Sequence, residues 1–346
     1  MDKFLKKRLL YIGMEFHVRT RSVDFLLELF GTKYEIVRCD IDFSLEDPYS
    51  QLSLIEDKKF DVLVCLQVVP PFRLLEREFT FRNKVYFPMY DACPSIKKPE
   101  KWYFFRDFQI ISFSKTLGDG LKSIGFCSHS IQYFPKPIHC DDLGEPDSLF
   151  FWNRNEKINL NTVACLFSSS GLKKVHVHKV LDPGRKFIDS ERAKSFKLSF
   201  SDWYETKEEM LKDIQTAAFY MAPRKKEGIG MSFLEAMAMG RCVIAPDYPT
   251  MNEYIKHGET GYLYDFKKPK NLQIKNIREM QKNVIQYMEK GYEKWESRKV
   301  DILKWSNEPV KVSKIKFTKA LYIRFLRNPY KLTKFLIEVS KNRRSV

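Results

Sequence analysis

Two glutamates eight positions apart, Glu227 and Glu235, bracket a glycine turn in EGIGMSFLEAMAMG, residues 227–240. A carboxylate can accept hydrogen bonds from two vicinal hydroxyls, the pattern that a sugar or ribose ring presents. MSFLEAMAM is rich in strong helix formers and Gly240 suits a C-terminal cap, so a helix is predicted to start near Gly230. The N-terminus of such a helix offers unpaired N–H groups and the positive end of a dipole, a seat for a phosphate. Glu227 stands just ahead of that seat and Glu235 more than one turn inside, a spacing that fits a ligand with hydroxyls on both sides of a phosphate: a nucleotide sugar. A plainer account of the same residues has Glu227 favouring the helix dipole and Glu235 as a surface acid.

The elements that would carry these residues are legible as short apolar, β-branched runs between helical or polar segments. The first half holds RLLYIGM, YEIVRCD, FDVLVCL, KVYFPMY, FQIISFS and HSIQYFP; the second holds SLFFW, KKVHVHKV, SFKLSF, AAFYMAP, RCVIAPD and GYLYDF. Such alternation reads as strand, helix, strand, hence parallel sheets with helices on both faces. HCDDLGEPDS, residues 139–148, reads as a linker between two α/β halves, and the sequence turns helical from about residue 270. Ligands of open parallel sheets gather beyond the carboxyl ends of the strands, so chemistry is expected in a cleft between the halves. His176 and His178 alternate along one strand and read as one of its faces, not as a site.

At 346 residues the chain is long enough for about two domains. An apolar fraction of 44% with 30% charged residues excludes wholesale disorder. The net charge of +16 favours polyanionic surroundings: nucleic acid, anionic lipid or phosphorylated substrates. Seven cysteines without CxxC spacing propose neither a disulfide framework nor a zinc site, which fits a reducing cytoplasm. The start, MDKFLKKRLLYIGMEFHVR, reads as a first strand and not as a signal peptide, and no run is long enough for a membrane-spanning helix.

YMAPRKKEGIGMSFLEAMAMGRCVIAPDYPTMNEYIKHGETGYLYD, residues 220–265, resembles the donor-binding segment of family 4 glycosyltransferases, retaining enzymes of the GT-B fold with a Glu, seven residues, Glu pattern. The acid spacing, both glycines, the LEAMA helix, G-x-x-VIA and E-x-I-x-x-G-x-T-G-x-L coincide in order. The resemblance implies two Rossmann-like α/β domains: an acceptor domain over 1–140, a nucleotide-sugar donor domain over 141–300, and a basic helical tail over 301–346. By the same resemblance Glu227 contacts the hydroxyls of the donor sugar and Glu235 the ribose, while Gly228, Ile229, Gly230 and Met231 bind the donor between them. The nucleotide is UDP- or GDP-linked, nothing in the sequence choosing between them, and neither a metal nor a further cofactor is implied.

A departing diphosphate needs fixed cations. The family places an Arg and a Lys after the first strand of the second domain, where this chain has Arg154 and Lys157 in SLFFWNRNEKINLN; the usual glycines are replaced by Asn153 and Ile158. Lys225 and Lys226 are further candidates. In the first half only Gly13 remains of the glycine-rich loop that relatives carry after the first strand, with Glu15, His17 and Arg19 as candidates for acceptor binding or as an ordinary surface loop. Asp91, at the end of the fourth strand, is the candidate near the reacting carbon, and Tyr90 replaces the histidine usual beside it. The base is expected near SFSDWYETKEEMLK, with Trp203 or Tyr204 as a stacking surface.

Residues 309–346 hold eleven Lys/Arg against the single acid Glu338. Leu332, Phe335, Leu336 and Val339 form an apolar helical face, with Arg327, Lys331, Lys334 and Lys341 off it. Such a helix can rest on anionic lipid or close against the first domain. The expected activity is retaining, metal-independent transfer of a sugar to a lipid-linked or membrane-borne saccharide in bacterial surface polysaccharide synthesis, at the inner face of the cell membrane. Two alternatives stand: a nucleic-acid-binding protein, for which no zinc finger, RNP signature or recognition helix is found, or a nucleotide-sugar epimerase.

Overall fold

The computed structural model describes residues 6–311, 332–337 and 340. The chain forms two compact units, one of residues 1–132 with 297–346, the other of residues 133–296. The first contains β1 (Lys7–Met14), β2 (Tyr34–Ile41), β3 (Lys59–Leu66), β4 (Thr80–Phe87), β5 (Gln109–Ser112) and β6 (Ser128–Ser130). The second contains β7 (Glu145–Trp152), β8 (Lys174–His178), β9 (Lys197–Ser201), β10 (Ala217–Met221), β11 (Cys242–Pro246) and β12 (Gly261–Tyr264). Each set pairs in parallel throughout, in the orders β2-β1-β3-β4-β5-β6 and β12-β11-β10-β7-β8-β9. Each of the twelve apolar runs meets a strand, the sixth only at His129 and Ser130, with Ile131, Tyr133 and Phe134 beyond β6; the two parallel six-stranded sheets with flanking helices are the two Rossmann-like domains of a GT-B fold.

Helices α1 (Glu15–Thr20), α2 (Asp24–Gly31), α3 (Phe72–Glu78) and α4 (Lys115–Ser123) belong to the first sheet. Helices α5 (Leu160–Leu166), α6 (Lys207–Thr216), α7 (Met231–Ala238) and α8 (Ile277–Arg298) follow, and α9 (Val300–Asn307) returns to the first unit. In β1 the run Leu9 to Ile12 is fully buried, as expected of a strand covered on both faces. The return of α9 is anchored by Asn307, whose Nδ2 donates to the Tyr34 hydroxyl at 2.6 Å, and by Trp305, stacked on His129 with ring centroids 4.4 Å apart.

In the second sheet, strand alternation divides the side chains cleanly. Leu149, Phe151, Val175, Val177, Phe219 and Met221 build one core with α5 residues such as Val163 and with Met280 of α8. The opposite face carries aromatic and imidazole rings: Tyr220 stacks on Phe150 at 5.8 Å, Phe150 on His176 at 5.4 Å, and His178 on Tyr204 at 4.6 Å. The two histidines thus share one strand face, and burial, with His176 beside it, pushes the His178 imidazole down to about 4, so it is neutral at pH 7.

Three boundaries differ from the sequence reading. The linker ends at Gly144, because Glu145 to Ser148 already lie in β7. The chain passes between units at 132/133 and 296/297, not at 140/141 and 300/301. GMEFHVRTRS is no loop: α1 starts at Glu15, and the Glu15–Arg19 ion pair at 2.9 Å, one turn apart, supports it. Of the tail, residues 332–337 are helical; Phe335 is buried edge-on against Tyr103 at 5.4 Å, whereas Leu332, Leu336 and Ile337 are exposed. Arg327, Lys331, Val339 and Lys341 lie outside the described residues. No helix among the described residues is long and apolar enough to cross a membrane.

Candidate functional site

The candidate site is built at the carboxyl ends of β7, β8 and β10, which are adjacent in the second sheet. Beyond β10 the chain runs through Pro223 and RKK into the turn Glu227 to Gly230 and then into α7. Gly230 has φ +84°, the left-handed region, and a Cβ there would fall 1.9 Å from Cε1 of Phe233, so both backbone and packing demand glycine. The fully buried Thr250 donates its hydroxyl to the Glu227 carbonyl at 2.6 Å and fixes the turn. Gly230 caps α7 without a side chain, and the first intrahelical bond runs from Leu234 N–H to Gly230 O, so the N–H groups of Met231, Ser232 and Phe233 have no helical partner.

Both glutamates are buried, Glu227 at 9% and Glu235 at 8% exposure, so Glu235 is not the surface acid of the plainer account. Burial raises the Glu235 carboxyl above its ordinary range, and Lys207 at the start of α6 opposes this with an Nζ to Oε1 ion pair at 2.5 Å. The phenol of Tyr220, on β10, is fully buried. Burial holds it far above its ordinary range, the charges of Glu227 and Glu235 push it further up, and that of Arg154 pulls it down.

Arg154 stands on a short loop after β7 that Asn153 closes: fully buried in place of the family's glycine, it donates Nδ2 to Ile158 O at 3.0 Å. The guanidinium lies 4.8 Å from the Trp152 ring centroid and gives Nε and Nη2 to Oδ1 of Asp182 at 2.9 and 2.6 Å. Asp182 also receives Nη2 of Arg224 at 2.9 and 2.8 Å. Lys157 shares the loop with Arg154, but its ammonium is exposed and pairs with none of the described residues. Lys225 is held over the rings of Tyr248 and Phe266 at 4.3 and 4.8 Å, away from a phosphate role, and Lys226 is exposed.

Near the expected base region, Trp203 is 61% exposed. Tyr204 is committed elsewhere: its ring stacks on His178 and its hydroxyl donates to Asp213 at 2.6 Å, so it is not a free stacking surface. Gly228, Ile229 and Met231 lie in the turn and the first residue of α7 with Gly230. Gly13 and Asp91 belong to the other unit. Gly13 lies inside β1, not in a phosphate loop, and a Cβ there would meet the buried Tyr11 hydroxyl at 2.6 Å and its ring at 2.7 Å, a packing reason for the glycine. Asp91 is exposed four residues beyond β4. Sequence reading missed Asp182, Arg224 and Lys207, whose partners are 28 to 42 positions away; the only signal was their place just past strand ends or at a helix start.

Residues 190–294 match the family of glycosyl transferases group 1. A sequence comparison with curated proteins returned no match. Among solved structures, the chain superposes on the lipopolysaccharide outer core galactosyltransferase WaaB with a TM-score of 0.52 at 13% identity, over 84% of this chain and 99% of that one. On sucrose-phosphate synthase from Thermosynechococcus elongatus the TM-score is 0.56 at 11% identity, over 86% and 98%. With TarM, at a TM-score of 0.48 and 15% identity, the overlap is 75% of this chain and 57% of TarM, so the chain spans little more than half the length of that protein. The match of residues 190–294 runs from before β9 into α8, and the two superpositions support the GT-B architecture.

Proposed function

We propose that the chain is a retaining glycosyltransferase of the Glu-x7-Glu type, moving one sugar from a nucleoside-diphosphate sugar to a lipid-linked or membrane-borne saccharide. The observation that carries the reading is the pair of buried carboxylates on either side of the left-handed Gly230 turn, with Arg154 just beyond β7, the strand next to β10. Burying a carboxylate costs free energy, and buried acids at the carboxyl end of a parallel sheet mark a functional-site candidate. In this reading Glu227 receives the hydroxyls of the donor sugar, Glu235 those of the ribose, and the turn and first residue of α7 receive the diphosphate.

The chemistry is front-face substitution. The acceptor oxygen bonds to the anomeric carbon on the face from which the diphosphate oxygen departs, and the acceptor proton passes to that leaving oxygen. Arg154 stabilises the charge that grows on the diphosphate, and positioning with electrostatics supplies the rate without a dedicated base. Lys157 and Asp91 are the further candidates, the first for the diphosphate and the second near the reacting carbon. The role of WaaB in the lipopolysaccharide outer core supports a pathway of bacterial surface polysaccharide, and the exposed Leu332, Leu336 and Ile337 support a membrane-facing tail.

The test is a thermal-shift screen of the purified chain against a panel of nucleotide sugars, followed by product analysis with a saccharide acceptor. A shift by one donor class and a product with retained anomeric configuration are expected. Release of an isomerised nucleotide sugar without acceptor would make the protein an epimerase instead.

A further inference from the structure

We propose that Asp182 is a positioning residue that yokes Arg154 and Arg224 into one cationic unit for the donor diphosphate, with Arg224 and not Lys157 as the second cation. The inference rests on the nucleotide-sugar reading above and extends it to residues which that reading does not use.

The topology makes the unit possible. Strand order β10-β7-β8 puts three carboxyl ends side by side, and each contributes one member: Arg224 beyond β10, Arg154 beyond β7, Asp182 beyond β8. The backbone ties the loops independently of the charges. Asp182 N–H donates to Arg154 O at 2.8 Å, and Asn155 Nδ2 reaches Pro223 O, next to Arg224, at 3.4 Å. Asp182 itself opens a tight turn closed by Arg185 N–H to Asp182 O at 3.0 Å, so its carboxylate is presented from a fixed backbone.

The pairing geometry of Arg154 leaves it able to bind. Arg154 spends Nε and one Nη2 hydrogen on a single oxygen of Asp182, which leaves its Nη1 donors, while Trp152 beneath the guanidinium plane fixes its tilt. Arg224 spans both oxygens of the same carboxylate with one nitrogen. Two guanidinium groups set this close would repel without the carboxylate between them, and with it the trio keeps a net charge of +1. Guanidinium neither loses its proton nor changes shape, and its planar fork matches phosphate oxygens, whereas an ammonium supplies only a point charge. The neighbouring lysines do not compete: Lys225 is bound over two rings and Lys157 extends into solvent. Arg224 is three residues ahead of Glu227 in the same loop, so the unit and the sugar-binding acid are carried by one segment.

The experiment measures binding of a nucleoside, its monophosphate and its diphosphate to the full chain by calorimetry, using uridine and guanosine series. Wild type is expected to gain at least tenfold in affinity from nucleoside to diphosphate. Arg224→Gln, Arg154→Gln and Asp182→Asn are each expected to remove most of that gain while nucleoside affinity and the unfolding temperature stay put, a pattern that a general structural defect would not produce. Asp182→Glu is expected to restore part of it, and Asp182→Asn combined with Arg224→Gln to lose no more than Arg224→Gln alone. Should Arg224→Gln unfold the chain, Arg224→Lys supplies the same comparison with charge kept and the fork removed. An unchanged diphosphate gain in Asp182→Asn, or a gain lost in Lys157→Met and kept in Arg224→Gln, overturns the inference and leaves the nucleotide-sugar reading standing. Absence of any diphosphate gain in wild type overturns both.

Discussion

The two sheets have the same strand number and the same parallel pairing, yet their carboxyl ends differ in kind. After β1 the first unit runs straight into α1, and the glycine that remains there is accounted for by the Tyr11 ring. After β10 the second unit makes a glycine turn that holds a buried carboxylate and pins its carbonyl with Thr250, and Arg224 on the loop before that turn meets Asp182 beyond β8, which also holds Arg154 beyond β7. An architecture alone therefore says little about chemistry. What marks a site is a set of groups whose burial or backbone geometry costs stability without a packing return.

That contrast can be broken by substitution. Glu227→Ala is expected to lower transfer by about 100-fold or more with the fold intact, since it removes a group aimed at the reacting sugar. Measured turnover equal to wild type in a chain of unchanged circular dichroism would sink its assigned role. Gly230→Ala should cost about 2–4 kcal/mol of stability, from the left-handed backbone and the Phe233 overlap together, and should also abolish donor binding. Its counterpart in the other unit, Gly13→Ala, should cost about 1–3 kcal/mol through the Tyr11 ring and leave donor affinity per folded molecule unchanged. Denaturant titration with calorimetry separates the two glycines; a donor defect in Gly13→Ala would erase the difference between the units.

The smallest effect concerns pH. Burial raises the Glu235 carboxyl in the folded chain, with Lys207 opposing it. The folded state then takes up a proton before the unfolded state does, so this group costs stability at neutral pH and the cost fades as pH falls through the raised value. Lys207→Met removes the opposing charge, and the proton uptake should move to higher pH. Because a ribose needs the ionised acceptor, nucleoside affinity should begin to fall at a higher pH in Lys207→Met than in wild type. Overlapping affinity profiles from pH 4 to 8 would show that Glu235 is not the ribose ligand.

The fold was almost wholly legible because parallel strands buried on both faces must be runs of apolar residues, and each of the twelve runs meets a strand, the sixth only at its first two residues. The α7 start was legible for a local reason too, since glycine, helix formers and a closing glycine lie within fourteen residues. The α1 helix was not: six residues carry too little periodicity, and only the Glu15 to Arg19 spacing pointed to it. Asp182 was hidden inside a DPG turn, where an acid reads as turn chemistry; its two arginine partners are set by strand order, which sequence spacing does not encode. Tyr204 failed as a free ring for the same reason, since its commitments to His178 and Asp213 arise only when β8, β9 and α6 meet.

The return of α9 to the first unit has a consequence for how the protein is made. Trp305 and Asn307 complete the surfaces around His129 and Tyr34, but residues 133–296 must be synthesised between them. At translation rates of about 5–20 residues per second, that interval is on the order of 10–30 s. Throughout it the nascent first sheet has to persist on the ribosome with its α9 face uncovered, while the second sheet emerges contiguous and can close without waiting.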